Sequence, residues 1–387
     1  MLSDLDESLL HQVALPMSRT ATSDHRFYDR VFFACFDPKG SASVMLGMGV
    51  YKNMNVIDGF ACVVRNGKQH NVRASRLLRP NLDSEVGPIR FAVIKPFREL
   101  RFSIDRNESD VALDLVWTAT IDPFLESDWE GNRKIVNGRI ATDTQRFDGV
   151  GRWNGWIEVA GERIEVKDWC GNRDHSWGSR GGVGGYEPVN GPSEMLAANT
   201  GFFLGYFVYT DGDKLAGYTL WTENEKGRYR SMEGAFRWDP AEKLPDQLVH
   251  DLSHEFTFPP ASRQYDHGKL LVTLENGAEH TVEFTKPILG TVLKGYGGHG
   301  EGFKDKKGFG CYRGELLVEH DIYDLDDPLM RQLPVEQPLS VTIDGKAGGW
   351  GIGTVLAVGE LPQVGLRRQS KEEMQRYSIA VDNVAPE

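Results

Sequence analysis

Nowhere in these 387 residues do about 18 apolar side chains follow one another, so the sequence holds nothing that reads as a membrane-crossing helix. Cysteine is scarce and scattered. Cys35, Cys62, Cys170 and Cys311 form no CxxC pair, which excludes a zinc ribbon and a disulfide-built scaffold and suits a reducing compartment. Positive charge is in deficit, with 44 Lys and Arg against 56 Asp and Glu, a formal net charge of -12. Such a chain repels phosphate backbones and anionic lipid, so nucleic acid is not expected as a partner.

Other absences narrow the chemistry. The first twenty residues carry Asp4, Asp6 and Glu7 where an export signal would carry basic residues and an apolar run, so a cytoplasmic location is expected. The histidines make no HxH or HExxH pattern, and no metal is expected. There is no GxSxG elbow, and Gly295-Tyr296-Gly297-Gly298 lacks the strand-to-helix setting and the Lys-Ser/Thr of a phosphate loop. Repeats, coiled coils and low-complexity tracts are missing, which disfavours a structural role. The oligomeric state is open.

What is present is glycine (43), proline (18) and aromatic residues (9 Trp, 12 Tyr, 19 Phe), a composition for short strands and tight turns. Runs such as 27–28, 31–34, 43–46, 50–51, 59–64, 89–94, 100–104, 111–119, 149–159 and 163–166 read as strands, with turns at Arg65-Asn66-Gly67-Lys68 and Val159-Ala160-Gly161-Glu162. The Gly- and Pro-rich stretch 178–201 reads as a crossing. Strands then resume at 202–208, 215–221, 232–238, 255–258, 269–274, 281–284 and 316–323. The length exceeds what one core usually serves. Two all-β antiparallel domains are expected, 1–190 and 191–365, followed by a peripheral tail, 366–387. A short helix is expected near Asp6 to Val13.

Reactive side chains crowd most densely in Asp168-Trp169-Cys170-Gly171-Asn172-Arg173-Asp174-His175-Ser176-Trp177-Gly178-Ser179-Arg180. Asp174 and His175 supply an acid/base pair, and Trp169 and Trp177 supply walls able to face a developing cation. The plain alternative is a structural ion pair of Arg173 with Asp174 at a strand end. A second cluster, 294–321, offers Tyr296 and His299 on a Gly-rich loop, whereas His320 reads as a surface residue. His70 is a secondary candidate, since a lone histidine is more often structural than catalytic.

The segment GNRDHSWGSR resembles the signature of the AttH and carotenoid 1,2-hydratase superfamily of two-domain lipocalin-like proteins. Residues Gly49 to Phe60 (GVYKNMNVIDGF, with Tyr51) and Gln69 to Arg76 resemble the first-domain pattern of a bacterial branch of it, and the likeness runs from about Arg26 to Leu361. The resemblance implies two lipocalin-like barrels, an apolar pocket in or between them, and work on large apolar molecules without metal or organic cofactor. It also implies that Asp174 matches the proposed proton donor of the carotenoid hydratases. Where those follow Asp-His with Asn and an acidic-Pro stretch, this chain has Ser176-Trp177-Gly178, so water addition itself does not carry over. The expected function is a cofactor-independent lyase or isomerase for a hydrophobic terpenoid, steroid, polyketide or aromatic molecule. The alternative is a non-catalytic carrier of such a ligand. Asp174 and His175 are the expected catalytic residues, with Trp169, Arg173, Trp177, His70, Tyr51, Tyr296 and His299 binding substrate.

Overall fold

The computed structural model describes residues 4–7, 9, 11–79, 82–126, 132–136, 138–184, 200–210, 214–224, 229–297, 302–357 and 359–370. Among these, no helix is long and apolar enough to cross a membrane. The first half contains β1 (Phe27–Phe36), β2 (Ser43–Tyr51), β3 (Val56–Arg65), β4 (Lys68–Leu77), β5 (Glu85–Val86) and β6 (Ile89–Lys95). It continues with β7 (Glu99–Ile104), β8 (Val111–Ala119), β9 (Phe124–Leu125), β10 (Asn132–Val136), β11 (Arg139–Val159) and β12 (Glu162–Arg180). The second half contains β13 (Thr200–Thr210), β14 (Leu215–Asn224), β15 (Tyr229–Trp238), β16 (Gln247–Thr257) and β17 (His267–Leu274). Last come β18 (Glu279–Thr285), β19 (Thr291–Val292), β20 (Leu316–Asp324), β21 (Val335–Ile343) and β22 (Lys346–Val355).

The turns read from sequence have a backbone reason. Asn66 and Gly67 both adopt positive φ (50° and 73°), and so do Ala160 and Gly161 (50° and 78°). Two consecutive left-handed residues match the twist of the flanking strands, so β3 folds tightly onto β4 and β11 onto β12.

The first sheet runs β4-β3-β2-β1-β12-β11-β8-β7-β6-β5, with β9 and β10 also paired to β11. Alternate residues of β1, Val31, Phe33 and Cys35, point into a core shared with Leu46, Ile57, Phe102, Trp117, Trp153 and Trp169. Trp153 Nε1 donates to the Ala34 carbonyl at 2.8 Å, and Trp117 Nε1 to the Gly171 carbonyl at 3.4 Å. Room for these indoles comes from glycine. Gly151 and Gly171 stand opposite each other across β11 and β12. A Cβ at Gly171 would run into the Trp153 ring and the Ala34 carbonyl, and one at Gly151 into the Trp117 ring and the Thr118 carbonyl. Gly171→Ala is therefore expected to lower stability by about 1–3 kcal/mol through overpacking, read as a lower urea midpoint at unchanged slope.

The second sheet closes on itself. Its order β18-β17-β16-β15-β14-β13-β22-β21 is completed by pairing of β18 with β21, giving an eight-stranded barrel. Trp221, Phe236, Leu252, Tyr265 and Phe284 fill its interior. Two barrel-like sheets and, among the described residues, no long helix bear out the all-β, two-domain lipocalin-like expectation.

Some local expectations change. A 3-10 turn at Asp4–Glu7 stands in place of a helix reaching Val13. Strands β4, β21 and β22 and the short β5, β9, β10 and β19 escaped the sequence reading; β4 carries polar residues on one face and β22 is rich in glycine. The run 316–323, expected in the second domain, is β20 and pairs with β4 at the edge of the first sheet. Most of the 178–201 crossing and residues 371–387 lie outside the described residues.

Candidate functional site

Directly opposed residues of an antiparallel ladder share a face, so the register lays out this site row by row. One row reads Gly47, Phe32, Asp174, Asp148 and Phe124 across β2, β1, β12, β11 and β9. The next reads Gly49, Arg30, Ser176 and Arg146. Successive rows on one face lie about 6.6 Å apart. Two aspartates thus lie beside two arginines on the face that points away from the first core. That face meets the second domain: Phe36, Phe60, Phe124, Tyr209, Tyr218, Tyr296 and Trp350 belong to one apolar cluster built from both halves.

The second domain completes the seam. Tyr296 lies over Phe60 and Phe32, with ring centroids 4.7 and 6.3 Å apart. Tyr218 stacks on Phe124 at 6.0 Å and donates its hydroxyl to the Glu126 carbonyl. Arg146 Nη1 donates to Glu126 Oε1 at 3.1 Å, and the Arg30 guanidinium lies 5.5 Å from the Phe60 ring and 5.6 Å from that of Phe309. Glu336, on β21, is buried and accepts a hydrogen bond from Thr354 Oγ1 at 2.5 Å.

Burial sets the protonation. Asp148 is 1% exposed, and neither carboxyl oxygen has a hydrogen-bond partner among the described residues. Desolvation, then the charge of Glu126, hold its carboxyl well above the usual range; Arg146 opposes this and Asp174 adds to it. Glu336 is pushed up to about 7 by burial, which outweighs the Thr354 hydrogen bond, and the charge of Asp174 raises it further. Burial also raises Asp58, on the same face, to about 6, against a hydrogen bond from the Gly310 amide and the charge of Arg313. A cross-strand pair of carboxyls, one of them forced neutral, with a third titrating near neutrality, can release and recover protons at physiological pH.

The raised Glu336 carboxyl has a thermodynamic signature. Its folded value lies above the ordinary 4.5, so the folded protein holds the proton more tightly than the unfolded chain. Stability is therefore lost as pH rises from about 4.5 to about 7, by roughly 3 kcal/mol once ionisation is complete. Glu336→Gln should gain on the wild type across that window and keep a constant lead above it, as measured by urea unfolding between pH 4 and 8.

The sequence candidates fall into three places. Asp174 lies half-buried on the seam face, with the aromatic Tyr51 and Tyr296 buried on the same side, both phenols raised by desolvation. His175, its neighbour along β12, points to the opposite face, where Nε2 lies 2.7 Å from Asp29 Oδ1 and the ring meets Phe147 and Trp177 at 5.1 and 5.7 Å. Consecutive residues of an unbroken strand face apart, so the two do not form the contacting acid/base pair expected. Arg173 also faces inward. It is buried beneath Phe147 (4.6 Å) and Trp117 (5.8 Å), and desolvation lowers its pKa to about 10. Trp169 is part of the first core rather than a site wall. His70, buried on β4, points toward that core with its pKa lowered by burial. His299 lies outside the described residues. The reading missed Asp148, Glu336, Arg30 and Arg146, which no local motif marks.

Residues 2–367 match the family model described as "Family of unknown function (DUF8625)". No curated protein matches the chain. Among solved structures, an AttH-like protein from Nitrosomonas europaea aligns with a TM-score of 0.56 and 14% identity, over 90% of this chain and 98% of that one. Kievitone hydratase from Nectria haematococca aligns at 0.47 and 11%, over 89% and 93%, and CghA with Sch210972 at 0.43 and 10%, over 86% and 88%. The first of these likenesses establishes the fold as the two-domain AttH type, which bears out the resemblance carried by GNRDHSWGSR at the level of architecture.

Proposed function

We propose, for a chain that belongs to the family of unknown function DUF8625, a cofactor-independent lyase or isomerase working by acid/base catalysis in the seam between its two domains. Its substrate is a hydrophobic terpenoid, steroid, polyketide or aromatic molecule. The observation that carries this reading is the opposed pair Asp148 and Asp174, the first buried without a hydrogen-bond partner, beside Phe32, Tyr296 and the domain-two carboxyl of Glu336.

In the forward step the neutral carboxyl of the pair protonates an alkene: its O–H bond breaks, a C–H bond forms, and a carboxylate and a tertiary carbocation remain. Aromatic faces of Phe32, Phe60 and Tyr296 stand where such a cation gains from the ring quadrupole. Isomerisation follows when an adjacent C–H proton returns to a carboxylate. Hydration follows when water attacks the cation and its proton passes to Asp174 or Glu336, and dehydration is the reverse. A water-poor seam strengthens each of these electrostatic effects.

A carrier is the second reading, favoured by an open 390 Å³ cavity whose lining includes neither aspartate. Incubation in D2O with a panel of apolar alkenes separates the two. The enzyme reading expects deuterium or the mass of water in the recovered product, whereas every alkene returned unlabelled would leave only the carrier.

A further inference from the structure

A strand at the border of a sheet leaves a row of backbone groups unpaired, and proteins blunt such rows with short strands, proline, lysine or bulges. At one end of the first sheet stands β5, which is only two residues long. At the other end stands β20, the nine residues LLVEHDIYD, in unbroken register with β4 and without proline, lysine or glycine. No described strand lies on its outer side.

One hydrogen bond shows which groups face outward. The Leu325 amide donates to the Gly67 carbonyl at 2.9 Å, one step beyond the opposed pair Asp324 and Lys68. Hydrogen-bonded pairs alternate along an antiparallel ladder, so Leu317, Glu319, Asp321 and Tyr323 turn their backbone toward β4, while Leu316, Val318, His320 and Ile322 turn N–H and C=O outward. The same four side chains lie on the exposed face of the strand, with Leu316, Val318 and Ile322 at 54%, 40% and 52% exposure. Open main chain and uncovered apolar side chains therefore coincide.

The charges select the occupant. Glu319 and Asp321 share Arg73 at 2.8 and 2.6 Å, Lys304 stands 3.9 Å from Asp321, and Asp324 faces Lys68 across the ladder. A basic strand would find these acids already matched, whereas a second β20 brings its own matched set and adds no net charge. An antiparallel copy centred on His320 sets Val318 of each chain against Ile322 of the other, an apolar cross-strand pair made twice.

We propose that two copies of this chain associate edge to edge through β20, antiparallel about a two-fold axis at His320, so that their first sheets become one. The association stands independently of the lyase or isomerase reading. With a single strand pair at its centre it is a weak, concentration-dependent dimer.

Sedimentation equilibrium of the full chain tests it. The mass is expected to rise from 43.4 kDa toward twice that value as concentration rises, with a Kd of about 10–100 μM. Ile322→Lys, at an exposed position, should raise that Kd at least about tenfold by setting a lysine on the edge. His320→Cys should give an interchain disulfide under mild oxidation, because hydrogen-bonded opposed residues have Cα atoms about 5.5 Å apart, within reach of the bond. The four native cysteines are buried and should not compete. Leu316→Cys should stay unlinked, since its two copies would lie about 27 Å apart. A wild type that keeps the one-chain mass up to about 300 μM, well above the Kd expected of a weak interface, overturns the proposal and leaves the edge to an extended segment of a different protein. A dimer that Ile322→Lys leaves intact, or a disulfide that forms as readily through Leu316→Cys as through His320→Cys, places the contact elsewhere and overturns it equally.

Discussion

Replacing Asp174 by asparagine should lower kcat/KM by about 10²- to 10⁴-fold, the range over which a positioned general acid or base contributes. The amide keeps the shape of the carboxyl but cannot exchange a proton at neutral pH, and a half-buried position on the seam tolerates it sterically. Thermal unfolding should therefore stay close to that of the wild type while turnover of an accepted alkene collapses. Asp148→Asn should produce a loss of the same order, and the double variant little more than either single one, because opposed carboxyls that pass one proton between them fail as a unit. Full turnover in a folded Asp174→Asn protein would remove this residue from the chemistry and leave the carrier.

The largest stability effect is expected on the other face of the first sheet, behind the aspartate row. Trp117 is completely buried in the first core, hydrogen-bonded to Gly171 and capped by the Arg173 guanidinium. Trp117→Ala should cost about 3–5 kcal/mol in urea unfolding, since an indole-sized void cannot collapse between strands pinned on both sides. The inward-facing Arg173 should make matters worse, because its charge would lose an aromatic face and gain an empty space. A loss below about 1 kcal/mol would mean that the barrel interior is far looser than its packing indicates.

Strand content was legible wherever hairpin turns and β-branched runs coincide, as at Ala160-Gly161 between β11 and β12 or along Val111–Ala119. The AttH-type architecture was legible in GNRDHSWGSR. Of the candidate site, the sequence marked Asp174, Tyr51 and Tyr296. Gly171, Asn172 and Asp174 are poor strand formers, so the motif read as a strand end when it is the middle of a 19-residue strand. With that extent known, simple alternation separates Asp174 from His175. Asp148 and Glu336 were illegible for a different reason: what makes them reactive is burial and company supplied by strands far away in sequence, and nothing in RFDGVG or PVEQPL announces it.

Strand β20 carries a consequence for synthesis. Arg73, buried on β4, has its charge met by Glu319 at 2.8 Å and Asp321 at 2.6 Å, both on β20. As the chain leaves the ribosome, strand β4 must wait through some 240 further residues before its last partner arrives. Until then its border is bare, and an uncompensated guanidinium sits where the completed protein excludes water. The nascent amino-terminal half is thus the species that chaperones should be found holding until β20 emerges.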